Sequence, residues 1–77
     1  MRFKLLSELK KGERAKIFAF GEDSLLTQRI EEMGITRGEY VEIIRYAPLG
    51  DPIEIKIRGY FLSLRRDEAQ LIKVEVE

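Results

Sequence analysis

Apolar and polar residues alternate from Arg14 to Phe20, with Ala15, Ile17 and Ala19 on one face and Lys16, Phe18 and Phe20 on the other. A period of two predicts a strand. Two phenylalanines on the second face predict that this side is covered as well, by the helix that follows. From Ser24 the period changes. Leu26, Ile30 and Met33 recur at spacings of four and three, with Leu25 flanking and Gln28, Arg29, Glu31 and Glu32 on the wetter faces. That pattern predicts a helix over 24–33, capped at its start by Asp23 or Ser24. Gly34 stands where a left-handed C′ residue stops a helix, and Ile35 stands where it can touch Ile30, the contact of a Schellman stop.

Alternation resumes over Val41–Tyr46, over the run beginning at Ile53, and over Leu71–Val76. Between the first two lies Ala47-Pro48-Leu49-Gly50-Asp51-Pro52. Each proline lacks an N–H and fixes φ near about −65°, so no strand continues through this segment. It reads as a rigid exposed loop, a shaped turn in one reading and a presented recognition surface in the other. The run after Ile53 reads as a hairpin. With Gly59-Tyr60 as a type II′ turn, Ile57 faces Leu62, Ile55 faces Leu64 and Glu54 faces Arg65. Leu6–Leu9 and Arg66–Gln70 read as single helical turns, the first with Ser7 as its cap.

A weak internal echo relates Leu9–Ile17 to Ile35–Ile43. Both read apolar, two polar residues, Gly, Glu, one residue and then alternation. Gly12 and Gly38 at the third turn position predict type II turns, one mechanical solution used twice. The sum is one domain over 1–77, mainly β with an inserted helix. Five short strands with a helical turn before the last suit a small five-stranded SH3-like β-barrel.

Composition narrows the function. The 77 residues include 14 basic and 14 acidic side chains, no cysteine and no histidine. No nucleophile–base pair can be built on the serines and threonines, and no glycine-rich phosphate loop is present. The chain therefore reads as a non-enzyme. Zero net charge argues against nucleic acid as a partner, although Tyr46, Tyr60 and Phe61 interleave with arginines. Paired acids at Glu22-Asp23, Glu31-Glu32 and Asp67-Glu68 read as solvated surface charge. Without His or Cys no tight ferrous site is expected; no cofactor is required, and at most weak binding of a divalent cation by carboxylates remains open. No apolar run approaches about 18 residues, so no membrane insertion is expected and the chain reads as cytoplasmic. A monomer and a homo-oligomer are equally compatible with the sequence.

The run from Leu26 through Met33-Gly34-Ile35, then Arg37-Gly38, Ala47-Pro48-Leu49-Gly50-Asp51-Pro52-Ile53, Arg58-Gly59-Tyr60, Leu62-Ser63-Leu64-Arg65 and Ala69 resembles the FeoA family. These are small SH3-like cytoplasmic proteins that accompany the ferrous-iron permease FeoB. Members often carry proline before the turn glycine, where this chain has Lys11 and Arg37. The resemblance implies an accessory protein of iron uptake that contacts an FeoB-like permease peripherally, on its cytoplasmic side, and modulates it. It also implies an alternative. A similar domain closes iron-dependent repressors, where it contributes metal contacts, so a stand-alone metal-responsive domain is the second reading. The candidate partner-binding residues are Leu25 and Arg29 on the helix, with Tyr46, Pro48, Leu49, Gly50, Asp51 and Pro52 at the loop; no metal ligands are assigned.

Overall fold

Among the described residues six antiparallel strands form: β1 (Arg2–Leu5), β2 (Arg14–Phe20), β3 (Tyr40–Tyr46), β4 (Ile53–Ile57), β5 (Tyr60–Leu64) and β6 (Ile72–Val76). They form one sheet in the order β1-β6-β2-β3-β4-β5. Helix α1 (Ser24–Glu32) joins β2 to β3, and the single turn α2 (Arg66–Ala69) joins β5 to β6. A short 3-10 helix, Leu6–Glu8, follows β1. The computed structural model describes residues 2–22 and 24–76, for Ser24 the backbone alone. The expected cap at Asp23 or Ser24 lies outside the described residues.

The sheet has one strand more than the five expected. Arg2-Phe3-Lys4-Leu5 alternates, but its apolar side chains face outward, half-exposed, so the pattern carries no mark of a core strand. It pairs with β6, Phe3 opposite Glu75 and Leu5 opposite Lys73. The sheet order leaves β1 and β5 at its two ends.

The echo in the sequence is an exchange in space. Gly12 N donates to Ile43 O at 2.8 Å and Ile43 N to Glu13 O at 2.9 Å. The same two bonds recur with the segments reversed, from Gly38 N to Ile17 O at 2.9 Å and from Ile17 N to Glu39 O at 2.8 Å. The local two-fold passes through Ala15 and Val41, which face each other and are both buried. Each glycine takes a positive φ, +87° and +90°, which closes its turn onto the following glutamate.

The two-fold reaches further than the turns. A bulge falls at Phe18 in β2, against β6, and another at Ile44 in β3, against β4. A bulge inserts one residue and reverses the faces beyond it. Phe20 and Tyr46 are therefore both turned toward the core, while Phe18 is left outside. This overturns the expectation that Phe18 and Phe20 share a face beneath the helix. The Phe18 ring instead meets Phe3 of β1, with centroids 4.7 Å apart.

The core gathers isoleucines and leucines from the 3-10 helix, α1 and its stop, and strands β2 to β6, among them Leu6, Ile17, Ile30, Ile35, Ile43, Ile55, Leu64 and Ile72, all essentially sealed from solvent. Each such side chain contributes roughly 1.5–3 kcal/mol on leaving water. Helix α1 stops as its sequence predicts. Ile35 N donates to Ile30 O at 3.3 Å and Gly34 N to Glu31 O at 2.9 Å, with Gly34 at φ +87° and both isoleucines buried. The 3-10 helix begins two residues earlier than a Ser7 cap would set it. Leu5 N donates to Glu8 Oε1 at 2.7 Å, so a glutamate reaching back closes its start.

The hairpin register differs from the expected one by two residues. Arg58 and Gly59 form the turn, with φ of +51° and +82°, and Ile57 faces Tyr60, Ile55 faces Leu62 and Ile53 faces Leu64. Positive φ at both central positions is a type I′ turn, whose twist matches the flanking strands. A shift of two preserves the faces, so apolar residues still meet apolar ones. Glu54 faces Ser63, and its ion pair is with Arg45 on β3, at 3.7 Å.

Candidate functional site

The loop between β3 and β4 is closed by its own backbone. Ala47 N donates to Pro52 O at 3.0 Å, and Gly50 N donates to Ala47 O at 2.7 Å. The second bond makes a turn with Pro48 at the first central position, where its fixed φ is suited, and Leu49 at the second. Leu49 stands at the tip, 93% exposed. The peptide between Asp51 and Pro52 is cis.

Neighbouring elements hold the loop from below. Asp51 Oδ1 accepts a hydrogen bond from Arg66 N at 3.2 Å, which ties the loop to the first residue of α2. The Arg66 guanidinium lies under Gly50, and a Cβ at that position would sit 3.3 Å from its Nη1. Tyr46 packs against the core, and its hydroxyl donates to Leu9 O. Burial raises the Tyr46 pKa; Arg66 acts against that shift and Glu13 adds to it. The bulge at Ile44 thus makes Tyr46 a strut under the loop rather than part of its outer surface.

Helix α2 links the loop to α1. Glu68 is 2% exposed, and its Oε1 accepts from Arg65 N at 2.8 Å, which caps the turn. Its Oε2 has no hydrogen-bond partner and lies 3.8 Å from Arg29 Nη2 on α1. The expectation that Asp67-Glu68 is solvated surface charge therefore fails for Glu68. Sequence gave it no distinguishing mark except its place three residues after Arg65, the spacing of a reach-back cap. Leu25, one turn before Arg29 on α1, is 75% exposed.

The structure thus divides the candidates. Leu25, Pro48, Leu49, Asp51 and Pro52 are exposed, Gly50 is half-buried, Tyr46 is turned inward, and Arg29 is exposed while paired to a buried carboxylate. Among the described residues, no three His, Cys, Asp or Glu side chains come together. What the region offers is shape and apolar surface on a fixed frame. Residues 4–76 match the sequence profile of the FeoA domain.

The chain belongs to the FeoA family.

A curated FeoA-family relative, the Fe(2+) transport protein A/Fe(2+) transporter FeoB fusion protein of Porphyromonas gingivalis, is 39% identical over 71 residues. The match takes in 92% of this chain and 8% of the fusion protein, so the chain spans a small part of that relative. Among solved structures, the FeoA-like protein from Clostridium acetobutylicum is 39% identical with a TM-score of 0.92, over 99% of this chain and 88% of that one. The FeoA of Stenotrophomonas maltophilia, solved with zinc and described as a procaryotic SH3 domain protein, is 26% identical with a TM-score of 0.78, over 91% of this chain and 87% of that one. The fold of this FeoA chain is thus SH3-like and mainly β, and the family is linked to ferrous iron transport. Among the described residues no helix is long and apolar enough to cross a membrane.

Proposed function

We propose that this FeoA chain is an interaction module of ferrous iron uptake. It binds the cytoplasmic portion of an FeoB-type transporter through the tip of the 47–52 loop and the exposed face of α1, and it modulates that transporter by contact. One observation carries the reading. Leu49 is held almost wholly in water at the apex of a loop braced by two internal hydrogen bonds and by Asp51 on α2. A large aliphatic side chain kept exposed on a stiff mount is suited to a pocket on another protein, because little ordering remains to be done on binding. The fusion relative, whose name joins an Fe(2+) transport protein A to a transporter FeoB in one chain, supports the choice of partner.

The proposed contact needs no metal ligand. The chain has neither histidine nor cysteine, and among its described residues no carboxylates converge in threes. The iron is the transporter's cargo.

The test is capture of a detergent-solubilised FeoB-type transporter by the immobilised chain. Leu49→Asp and Leu25→Asp should each weaken binding by roughly 30-fold, about 2 kcal/mol. Both sites are outside the core, so the melting temperature should stay within about 3 °C. Undiminished capture by both variants would remove the loop and helix face from the interface.

A further inference from the structure

Two strands end the sheet, and they are not equally protected. β1 is four residues long and carries Arg2 and Lys4, the short charged form in which edges resist pairing. β5 reads Tyr60-Phe61-Leu62-Ser63-Leu64, with no charge, proline or glycine, and its ladder to β4 runs without a bulge. The two-residue turn closes on the Ile57–Tyr60 pair. By the alternation of an antiparallel ladder, Ile55–Leu62 and Ile53–Leu64 are then the other hydrogen-bonded pairs. The N–H and C=O groups of Phe61 and Ser63 therefore point away from β4. Among the described residues no hydrogen bond joins them to another element.

We propose that this edge accepts an extended segment of a partner protein as a seventh strand, and that the segment carries acidic residues on both sides of a short uncharged stretch. Backbone pairing supplies the attachment and charge supplies the selection. Cations flank the edge at both ends: Arg58 before it, hydrogen-bonded to the Gly34 carbonyl but keeping its charge, and Arg65 and Arg66 after it, the Arg66 guanidinium lying near Gly50. Lys56 stands behind it with Nζ 5.6 Å from the Phe61 ring centre. The nearby carboxylates are already engaged, Glu54 by Arg45 and Asp67 by the Glu68 amide.

The edge also has room for a side chain. Met33, Ile57, Arg58, Tyr60, Phe61 and Leu62 line a groove of 300 Å³ beside it. Tyr60 and Leu62 share a face of β5, so the incoming residue opposite either one lies over this groove and should be aliphatic. A second copy of the chain is the poorer occupant. Antiparallel pairing of two β5 strands about Leu62 would satisfy the free groups of Phe61 and Ser63. It would also set Arg58 beside Arg66 of the second copy, like charges at both ends of the ladder.

The experiment uses the full chain and three nine-residue peptides: EDVTVTVDE, the same core flanked by lysines, and the acidic form with proline at its centre. Amide NMR should show slowed hydrogen exchange at Phe61 and Ser63 with the first peptide. The lysine-flanked and proline peptides should bind at least about tenfold more weakly. Arg65→Glu should weaken binding of the acidic peptide and narrow its advantage over the lysine-flanked one. Ser63→Pro, which removes an N–H the fold does not use, should abolish binding while the remaining amide spectrum persists. If Ser63→Pro unfolds the chain, Arg65→Glu decides alone. Equal binding of the acidic and basic peptides, or no protection at Phe61 and Ser63, overturns the proposal. So does a dimer in sedimentation at submillimolar concentration. No transporter is present in these measurements, and Leu49→Asp should bind the peptide as the parent does, so failure here leaves the loop interface untouched.

Discussion

The Arg58 guanidinium donates from Nη2 to the carbonyl oxygen of Gly34 at 2.8 Å, so the tip of the β4–β5 hairpin closes the end of α1. The last carbonyls of a helix lack partners within it and carry the negative end of its dipole, which makes a cation their natural complement. Both residues are in the left-handed region, Gly34 at φ +87° and Arg58 at +51°. For Gly34 this is the ordinary way to stop a helix. For Arg58 it is a strain that the type I′ turn imposes and the hydrogen bond to Gly34 offsets.

Separating those two effects gives the first prediction. Arg58→Ala loses the hydrogen bond and keeps the strained backbone, and should destabilise by about 1–2 kcal/mol. Arg58→Gly loses the same bond but relieves the backbone, and should be more stable than the alanine variant by about 1 kcal/mol. Urea unfolding of the three proteins measures both differences. A glycine variant less stable than the alanine one would mean that the turn is not strained at Arg58.

Gly34 makes the reciprocal case. A Cβ there would stand 2.8 Å from Arg58 Nη2, and the backbone would be left-handed for an alanine. Gly34→Ala should therefore cost about 1–2 kcal/mol from the backbone alone, and more from displacing the guanidinium. In a double-mutant cycle with Arg58→Ala the second part vanishes, so the two changes together should cost less than their sum by at least about 0.5 kcal/mol. Strict additivity would show that Arg58 swings away freely and does not secure the helix end.

How much of this was legible in the chain depends on what the pattern encodes. The stop of α1 could be read residue by residue, because Ile30, Gly34 and Ile35 each have one role in that motif. The inward faces of β4 and β6, and of β2 as far as Ile17, could be read from period two. Strand β1 could not, since its alternation presents Phe3 and Leu5 outward. The bulges at Phe18 and Ile44 carry no residue signal of their own; the echo of Leu9–Ile17 in Ile35–Ile43 stops just short of them. Hence Tyr46 looked available and is a strut. A single glycine predicts a type II′ turn one residue too late, whereas the type I′ turn puts Arg58 at positive φ and the hydrogen bond to Gly34 offsets the strain. Of the candidate site, Leu49 and Leu25 are as exposed as prolines and helix phase suggest, while the burial of Glu68 depends on packing that sequence does not display.

Glu68 and Arg29 yield the next prediction. The arginine is mostly in water, its side chain 60% exposed, so the attraction within the pair is itself screened. The carboxylate is what suffers without it, because Oε2 is buried and has no hydrogen-bond partner. Arg29→Ala should destabilise by about 1–3 kcal/mol, more than an exposed arginine ordinarily would. Adding Glu68→Gln removes the buried charge while keeping an acceptor for Arg65 N, and should recover part of that loss. If the double variant is less stable than Arg29→Ala alone, the two side chains are not coupled in this way.

The mount of Leu49 can be loosened without touching Leu49. Asp51→Ala removes the acceptor for Arg66 N and frees the loop from α2. The apolar tip remains, but more of its ordering must happen on binding. Affinity for an FeoB-type transporter should fall by about three- to tenfold, less than for Leu49→Asp, with the loss chiefly in the association rate. Unchanged affinity, with the loop shown by NMR relaxation to be more mobile, would mean that rigidity contributes nothing to the contact.

Tyr46 predicts how stability responds to alkali. Burial raises its pKa above the ordinary tyrosine value, and of the nearby charges Arg66 opposes the shift and Glu13 adds to it. A raised folded-state pKa means that, above about pH 10, the folded chain holds the phenolic proton more often than the unfolded chain does. Stability from this group is therefore complete below the unfolded-state pKa and declines as pH rises through the folded one. The same proton makes the hydrogen bond to Leu9 O, so ionisation also removes the tie between the end of β3 and the segment after the 3-10 helix. Tyr46→Phe should be less stable at pH 8 by about 1 kcal/mol, for the lost hydrogen bond. It should also lose less stability than the parent between about pH 9 and 11, because the phenol that titrates is gone. Urea unfolding across that range measures the slope, and parallel curves for the two proteins would show that another group governs the alkaline limb.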